Sequence, residues 1–303
     1  MANRPTRIAA GGSLLLGSVV TGTAVGVDPA GATGVTITVD SLADGPGIAA
    51  DCFDPTPGNC TLRAAIDASN YLAGRDTIAF DPSLTGTIVL SASLDMLTDG
   101  VSILGPGADV LTIDGAHRSS GFVQLPNLDP VTHVWDSLDL EVSGLTLTGM
   151  SRDAEPHFGA IAVISGNLTV RDTVVTDSNT RPSNTYVSAP IVAGIVGAGY
   201  RLGYNRDHDI VLDHVTVRDN HAEPPAPSQK SYAGSIVAVG RTVTMDGCIV
   251  DDNSSDQIAG PLLWGDEVIV RDSRVTGNAA VESFGGLTIV SQHATVTGTV
   301  IDG

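Results

Sequence analysis

One phrase of eleven residues occurs four times in the second half of this 303-residue chain, and it leaves few folds open. The copies are Leu168–Ser178 (LTVRDTVVTDS), Ile210–Asn220 (IVLDHVTVRDN), Val243–Asn253 (VTMDGCIVDDN) and Val268–Asn278 (VIVRDSRVTGN). Weaker copies start at Leu138 and Ala294. Taking the third residue of each copy as an anchor gives Leu140, Val170, Leu212, Met245, Val270 and Val296. Subtraction gives gaps of 30, 42, 33, 25 and 26 residues. An apolar residue stands two before each anchor and another five after it. Spacing by two is strand alternation, and Val, Thr and Ile are strand formers. Between the two strands lies a polar or glycine bend such as Arg171-Asp172 or Asp246-Gly247. Each copy therefore reads as strand, corner, strand, followed by a variable stretch.

Short strands at this period, with Asn or Gly at fixed offsets, are the mark of a solenoid. Helical repeats are excluded by the spacing of two. Propeller blades need about four strands in roughly 40–45 residues, longer than the last two gaps. A parallel β-helix fits, with about three short strands per coil stacked in register. Eight residues after the anchor stand Asn220, Asn253 and Asn278, with Ser178 and Thr148 in their place elsewhere. Asn tolerates tight turns and can hydrogen-bond along a stack of like turns.

Composition agrees. Charged residues make up 16% and aromatic residues 4%, with 35 glycines, a balance suited to a narrow coil interior and opposite to that of a disordered chain. The net charge of −19 argues against nucleic acid and anionic lipid as partners. Residues 1–32 read as a secretory signal peptide: Arg4 and Arg7 precede an apolar run that ends at Ala30-Gly31-Ala32. An uncleaved anchor is the rival, and the Gly, Ser and Thr content of the run makes it a poor span. No later stretch is apolar enough to cross a membrane, so no transmembrane segment is expected once the signal is removed. The chain closes at Gly303 inside a copy of the repeat, which reads as a solenoid truncated or without a cap.

After the leader, Val35–Val39 is a strand. An Asp-, Gly- and Pro-rich loop comes next, holding Cys52 before Cys60. In an exported chain this pair is expected to form a disulfide; the spacing does not suit zinc. Cys60–Asn70 (CTLRAAIDASN) is the one convincing helix, capped by Thr61 or Asn59, with Leu62, Ala65, Ile66 and Ser69 on one face. An amphipathic helix before the first coil is a natural plug for an open apolar end. Strands are expected at 77–80, 87–90, 101–104, 110–113 and 121–125.

These residues resemble a known family. The N-terminal strand, the loop with its first Cys, then Cys60-Thr61-Leu62-Arg63-Ala64-Ala65-Ile66 and Asn70, are similar to the CSLREA domain. Asp76–Phe80 and Val101–Gly115 resemble the segment C-terminal to that domain in such proteins. The likeness covers roughly residues 35–115, and Ala64 stands where the name-giving motif has Glu. It implies an exported bacterial protein in which that domain caps a right-handed β-helix of surface or adhesin-like type. It carries no catalytic residue over to this chain. The full expectation is a signal peptide at 1–32, a cap at 33–75 and a right-handed parallel β-helix at 76–303.

Function is sought where the repeat is interrupted. Insertions at 150–158, 179–187, 220–232, 253–257 and 278–284 begin at the same phase and should form a ridge. A second insertion, 198–209, carries Tyr200, Arg201, Tyr204, Arg206, Asp207, His208 and Asp209. Tolerated surface variation is the plain reading of such loops. The functional one is an elongated contact surface built on Tyr200, Arg201, Tyr204, Asp207, His208 and Tyr232, for an extracellular glycan or a cell-surface protein. The alternative is a polysaccharide lyase or glycoside hydrolase. Hydrolysis needs two carboxylates roughly 5–9.5 Å apart, and Asp207 and Asp209 are the weak candidates; a lyase would set Arg201 and Arg206 beside acidic metal ligands. Asp251 and Asp252 read as turn residues, His214 as a solvated corner, Cys248 as a small inward residue of a stack, and Trp264 as core or turn packing. No cofactor or metal motif is present: His117, His133, His157, His221 and His293 are scattered. A third reading is a fragment of a larger surface protein.

Overall fold

The computed structural model describes residues 34–45, 47–54, 56–124, 137–150, 159–180, 193–198, 207–224 and 231–302. They form a parallel β-helix: every strand pairing is parallel, and strands adjacent in a sheet come from successive coils. Nearly all parallel crossovers are right-handed, which is the sense expected of this coil. One coil shows the route. Leu168–Arg171 lies in the first sheet, Val174–Thr176 in the second, and the two-residue strand Asn179–Thr180 in a small extra sheet. Ile195–Ala198 lies in the third sheet, and Asp209–Asp213 returns the chain to the first, one rung on. In the last two coils the third- and first-sheet strands run together as Leu262–Arg271 and Thr288–Thr297.

The core is a set of columns. Along the first sheet Ile37, Ile78, Ile103, Val142, Val170, Leu212, Met245, Val270 and Val296 each pair with the next. All but the last are buried. Full burial of such a side chain stabilises by about 1.5–3 kcal/mol. The Met245, Val270 and Val296 stack is as the repeat predicts. The first copy is not: Val142, not Leu140, faces Val170, and Leu140 faces Leu168. The copy therefore starts two residues later, Leu147 rather than Leu145 faces Val175, and Met150 rather than Thr148 falls in the Asn column. Alternation repeats every two residues, so a shift of two leaves the inward pattern intact and invisible in sequence.

From the coil of Val142 to that of Val270, two left-handed corners recur. Two residues after the anchor stand Gly144, Asp172, His214, Gly247, Asp272 and Gly298, all at φ between 44° and 62°. Seven after it stand Gly149, Asp177, Asp219, Asp252 and Gly277, at φ between 51° and 64°. This conformation suits Gly best and tolerates Asp. It explains the polar or glycine bends and assigns Asp252 to a turn. Next to the second corner the Asn side chains turn inward. Asn220 and Asn253 are fully buried and Asn278 nearly so. The backbone N–H and Nδ2 of Asn220 both donate to Asn253 Oδ1, at 3.1 and 2.9 Å. Those of Asn253 donate to Asn278 Oδ1 at 3.0 and 2.8 Å. Each Asn also reaches back to a carbonyl of the preceding coil, as Asn253 does to Val217. Ser178 N–H starts the ladder by donating to Asn220.

At the N-terminal end, strand Thr36–Val39 pairs with Asp76–Phe80 and is already part of the first sheet. Helix α1 (Leu62–Tyr71) comes just after a disulfide between Cys52 and Cys60. Thr61 is the cap, its hydroxyl accepting from Ala64 N–H, and Leu62, Ala65, Ile66 and Ser69 are buried. Asn70 closes the helix onto the first coil: its Oδ1 accepts from Thr98 N–H and its Nδ2 donates to Met96 O. Arg63 makes a bidentate contact with Asp44 and donates to the carbonyls of Ala92 and Ser93. Burial works against ionisation of Asp44, but hydrogen bonds from Arg63 and Ser91 outweigh it and hold the carboxyl below its usual value of 3.8. Stability from this lowered pKa is full above about pH 4 and is lost as pH falls through the folded-state value. Asp44 is 3% exposed, so breaking the pair leaves a buried charge. Arg63→Met is expected to cost about 3–5 kcal/mol in urea unfolding at pH 7, and less below pH 4. Asn253→Ala removes the middle of the ladder and orphans its neighbours' polar groups, for a loss of about 1–3 kcal/mol by the same assay.

Candidate functional site

Insertions leave the β-helix at two corners, both flanking the third sheet. Segments 151–158, 181–192 and 225–230 lead into the third-sheet strands Ile161–Val163, Ile195–Ala198 and Ile236–Val239. Segments 125–136 and 199–206 lead from the third sheet back to the first. The single ridge expected from sequence is thus a pair of corners with a sheet face between them. Tyr200, Arg201, Arg206 and Tyr204 lie outside the described residues, as do His133 and His157; Asp207, His208, Asp209 and Tyr232 are within them.

Asp209 does not belong to the insertion. It opens strand Asp209–Asp213, three residues before the anchor Leu212, in a polar column with Thr242, Glu267 and His293. Asp139 and Asn167 hold the same offset from Val142 and Val170. The column is hydrogen-bonded: Asn167 N–H and Nδ2 donate to Asp139 Oδ1 at 3.1 and 2.9 Å, and Asp209 N–H donates to Asn167 Oδ1 at 2.7 Å. Arg241 then grips Asp209 with both ends of its fork, Nε to Oδ1 at 3.2 Å and Nη2 to Oδ2 at 2.7 Å. Sequence reasoning does not single out Asp139, Asn167 or Arg241. The available signal is the polar offset, which the two-residue shift of the first copy obscures.

His208 sits beneath this column and is 5% exposed. Its Nδ1 lies 3.5 Å from Ser137 Oγ and its Nε2 3.4 Å from Ser165 Oγ. Burial lowers its pKa below 6.5, more than Asp207, Asp139 and Asp209 raise it. The ring is therefore neutral at pH 7. This is not a nucleophile–base–carboxylate relay, because both ring nitrogens meet hydroxyls rather than a carboxylate. Asp209, with both oxygens on Arg241, is equally unsuited to form one half of an acid/base pair. Among the described residues no group of three or more His, Cys, Asp or Glu is gathered for a metal.

The other candidates resolve simply. Cys248 is buried in a column with Leu145, Thr173, Val215 and Ser273, and its thiol is pushed up to about 11 by burial. Its N–H donates to Ser273 Oγ and its Sγ to the carbonyls of Asp246 and Leu212. His214 is an exposed corner whose Nδ1 meets Asp213, and that hydrogen bond raises its pKa.

Trp264 packs, part-buried, against an apolar cluster other than the coil interior. It pairs with Val239 and Val290 on the outer side of the third sheet. There Val123, Ala162, Val196, Val237, Val239 and Leu262 form a second apolar cluster, separate from the coil interior. Tyr232, Trp264 and Ile164 pack against it, each part-exposed. A sheet face that is apolar on both sides and carries two aromatic rings between two insertion corners is the most distinctive lateral feature described.

No protein-family model matches this chain, and no curated protein or solved structure matches it either.

His208 gives a pH test. The unfolded chain takes up its proton near 6.5 and the folded chain at a lower pH, so stability falls as pH drops from above 6.5 through that interval. His208→Gln is expected to flatten this part of the stability profile between pH 7.5 and 5.5 (an interval set by the ordinary His value of about 6.5), measured by urea unfolding.

Proposed function

We propose that this chain is an exported, non-catalytic β-helical scaffold for binding or adhesion at or beyond the cell surface, with an extracellular glycan or cell-surface protein as its ligand. The observation that carries the reading is the outer face of the third sheet. Part-exposed Trp264 and Tyr232 pack there over an apolar cluster that is itself buried, between the two corners at which the long insertions depart. Aromatic rings combine a large apolar face with a polar edge, which suits stacking on sugar rings or anchoring a protein partner. Catalysis is disfavoured by the surroundings of the expected Asp207–Asp209 pair: Asp209 has both oxygens on Arg241, and the intervening His208 is buried against two serines. Export rests on the leader-like residues 1–32 and is consistent with the Cys52–Cys60 disulfide. The resemblance of residues 35–115 to the CSLREA domain supports the same setting.

The test is a glycan array with the intact chain, run beside reducing-end and unsaturated-product assays on polysaccharides. Binding without product is expected. Trp264→Ala should weaken binding about two- to tenfold, in line with roughly 0.5–1.5 kcal/mol for an aromatic contact. Product formation that disappears in Asp207→Asn would establish the lyase or hydrolase alternative instead.

A further inference from the structure

We propose that a file of two buried water molecules runs along the inside of the small extra sheet, from the Thr180 hydroxyl over the Ala222 methyl to the Ser255 hydroxyl, with Ser235 bonded to it from the side. The inference is independent of the ligand-binding reading above.

Buried hydroxyls near the first corner find protein partners. Thr173 and Ser273 each donate to the carbonyl two residues earlier, both at 2.6 Å. Beyond the second corner the pattern changes. Thr180, Ser235 and Ser255 are 1%, 0% and 3% exposed. Thr180 Oγ1, Ser235 Oγ and Ser255 Oγ have no hydrogen-bond partner among the described residues. Ser119, in an earlier coil, is the same. Among the described residues, every hydroxyl buried without a partner thus lies on one stretch of the coil, between the second corner and the third sheet. Scattered imperfections of packing would not sort themselves in this way. Buried polar groups are hydrogen-bonded to protein or to ordered water, and a group with no protein partner points to water.

The register places two of these hydroxyls in one column. Two residues after each ladder position stand Thr180, Ala222, Ser255 and Ala280. Thr180 pairs with Ala222 and Ser255 with Ala280. His221 pairs with Ser254, which sets Ala222 beside Ser255. Thr180 and Ser255 are therefore two rungs apart, about 9.6 Å at about 4.8 Å per rung. Three O–H···O links of about 2.8 Å each span most of that distance, and three links are what two waters in file provide.

Small residues keep the space. Ala222 packs on Ala193 in a buried pair that stands apart from both larger apolar clusters. A Cβ on Gly194 would come within 2.0 Å of Ser235 O, and one on Gly234 within 2.5 Å of Ser254 O. The second approach seats Ser235, one residue on, beside the Ser254–Ser255 strand. Each hydroxyl can donate once and accept twice. Each water then has a hydroxyl on one side and the other water on the next, and Ser235 supplies a further partner. The seam joins the coils through water just beyond the point where the Asn ladder joins them directly.

Water-oxygen magnetic relaxation dispersion of the intact chain, which reads the waters held inside a protein, tests the proposal with Ser255→Ala and Ala222→Val. Ser255→Ala should lose amplitude equal to about one water and unfold at lower urea concentration, because the water left behind lacks a partner. Ala222→Val puts two more methyl carbons into the file and should lose about two. Ser255→Ala is smaller than the native residue and keeps the test open if Ala222→Val does not fold. A Ser255→Ala chain with undiminished amplitude overturns the proposal. So does one more stable than the parent, the result expected when a dry, unpaired hydroxyl is removed. A folded Ala222→Val chain that keeps its full amplitude overturns the path over Ala222.

Discussion

Everything in this molecule depends on register between one coil and the next. A parallel strand pair gains its hydrogen bonds and its buried apolar surface only when inward residues stack on inward residues. Here two left-handed corners, separated by five positions, hold that register. The first turns the chain from the first sheet into the second, and the second turns it out again beside the buried Asn ladder. The interval from corner to corner is constant wherever both are described, from Gly144–Gly149 to Asp272–Gly277. Length varies only beyond it. That division lets one side of the solenoid be strict and the other permissive.

The buried asparagines illustrate how specificity is obtained in so plain a core. An apolar stack of Val and Ile can slip by two residues at little cost. An Asn column cannot, because each side chain satisfies a fixed backbone N–H and a fixed carbonyl on another coil. A half-satisfied polar residue in this interior would be worse than an apolar one. The ladder therefore rewards one alignment and penalises the neighbouring ones. It is also where the first copy of the repeat differs: Met150 occupies that place, and cohesion there rests on apolar packing.

Much of this is legible in the residues. Strand spacing, the Asn column, the capping helix and the Cys52–Cys60 pair rest on local chemistry that leaves a direct trace. The first copy reads two residues early because a shift of two preserves every apolar match. Asp207-His208-Asp209 looks like an acidic surface cluster, but burial of His208 between Ser137 and Ser165 joins segments 71 and 43 residues distant. No pattern around position 208 announces those partners. The outer cluster on the third sheet is hidden for a related reason. The alternation signal fails when both faces of a strand are apolar, as in Ile236-Val237-Ala238-Val239. Trp264 then reads as core from its neighbours, although it points away from the coil.

The corners that bear the insertions recur once per coil, and neighbouring strands in a sheet lie about 4.8 Å apart. Whatever those corners carry is thus displayed at a fixed pitch along a rigid rod, with lengths that can change one rung at a time without disturbing the rest. For a partner that itself repeats along a line, such a surface acts as a comb: contacts add tooth by tooth, and deleting or duplicating a coil alters reach without altering chemistry.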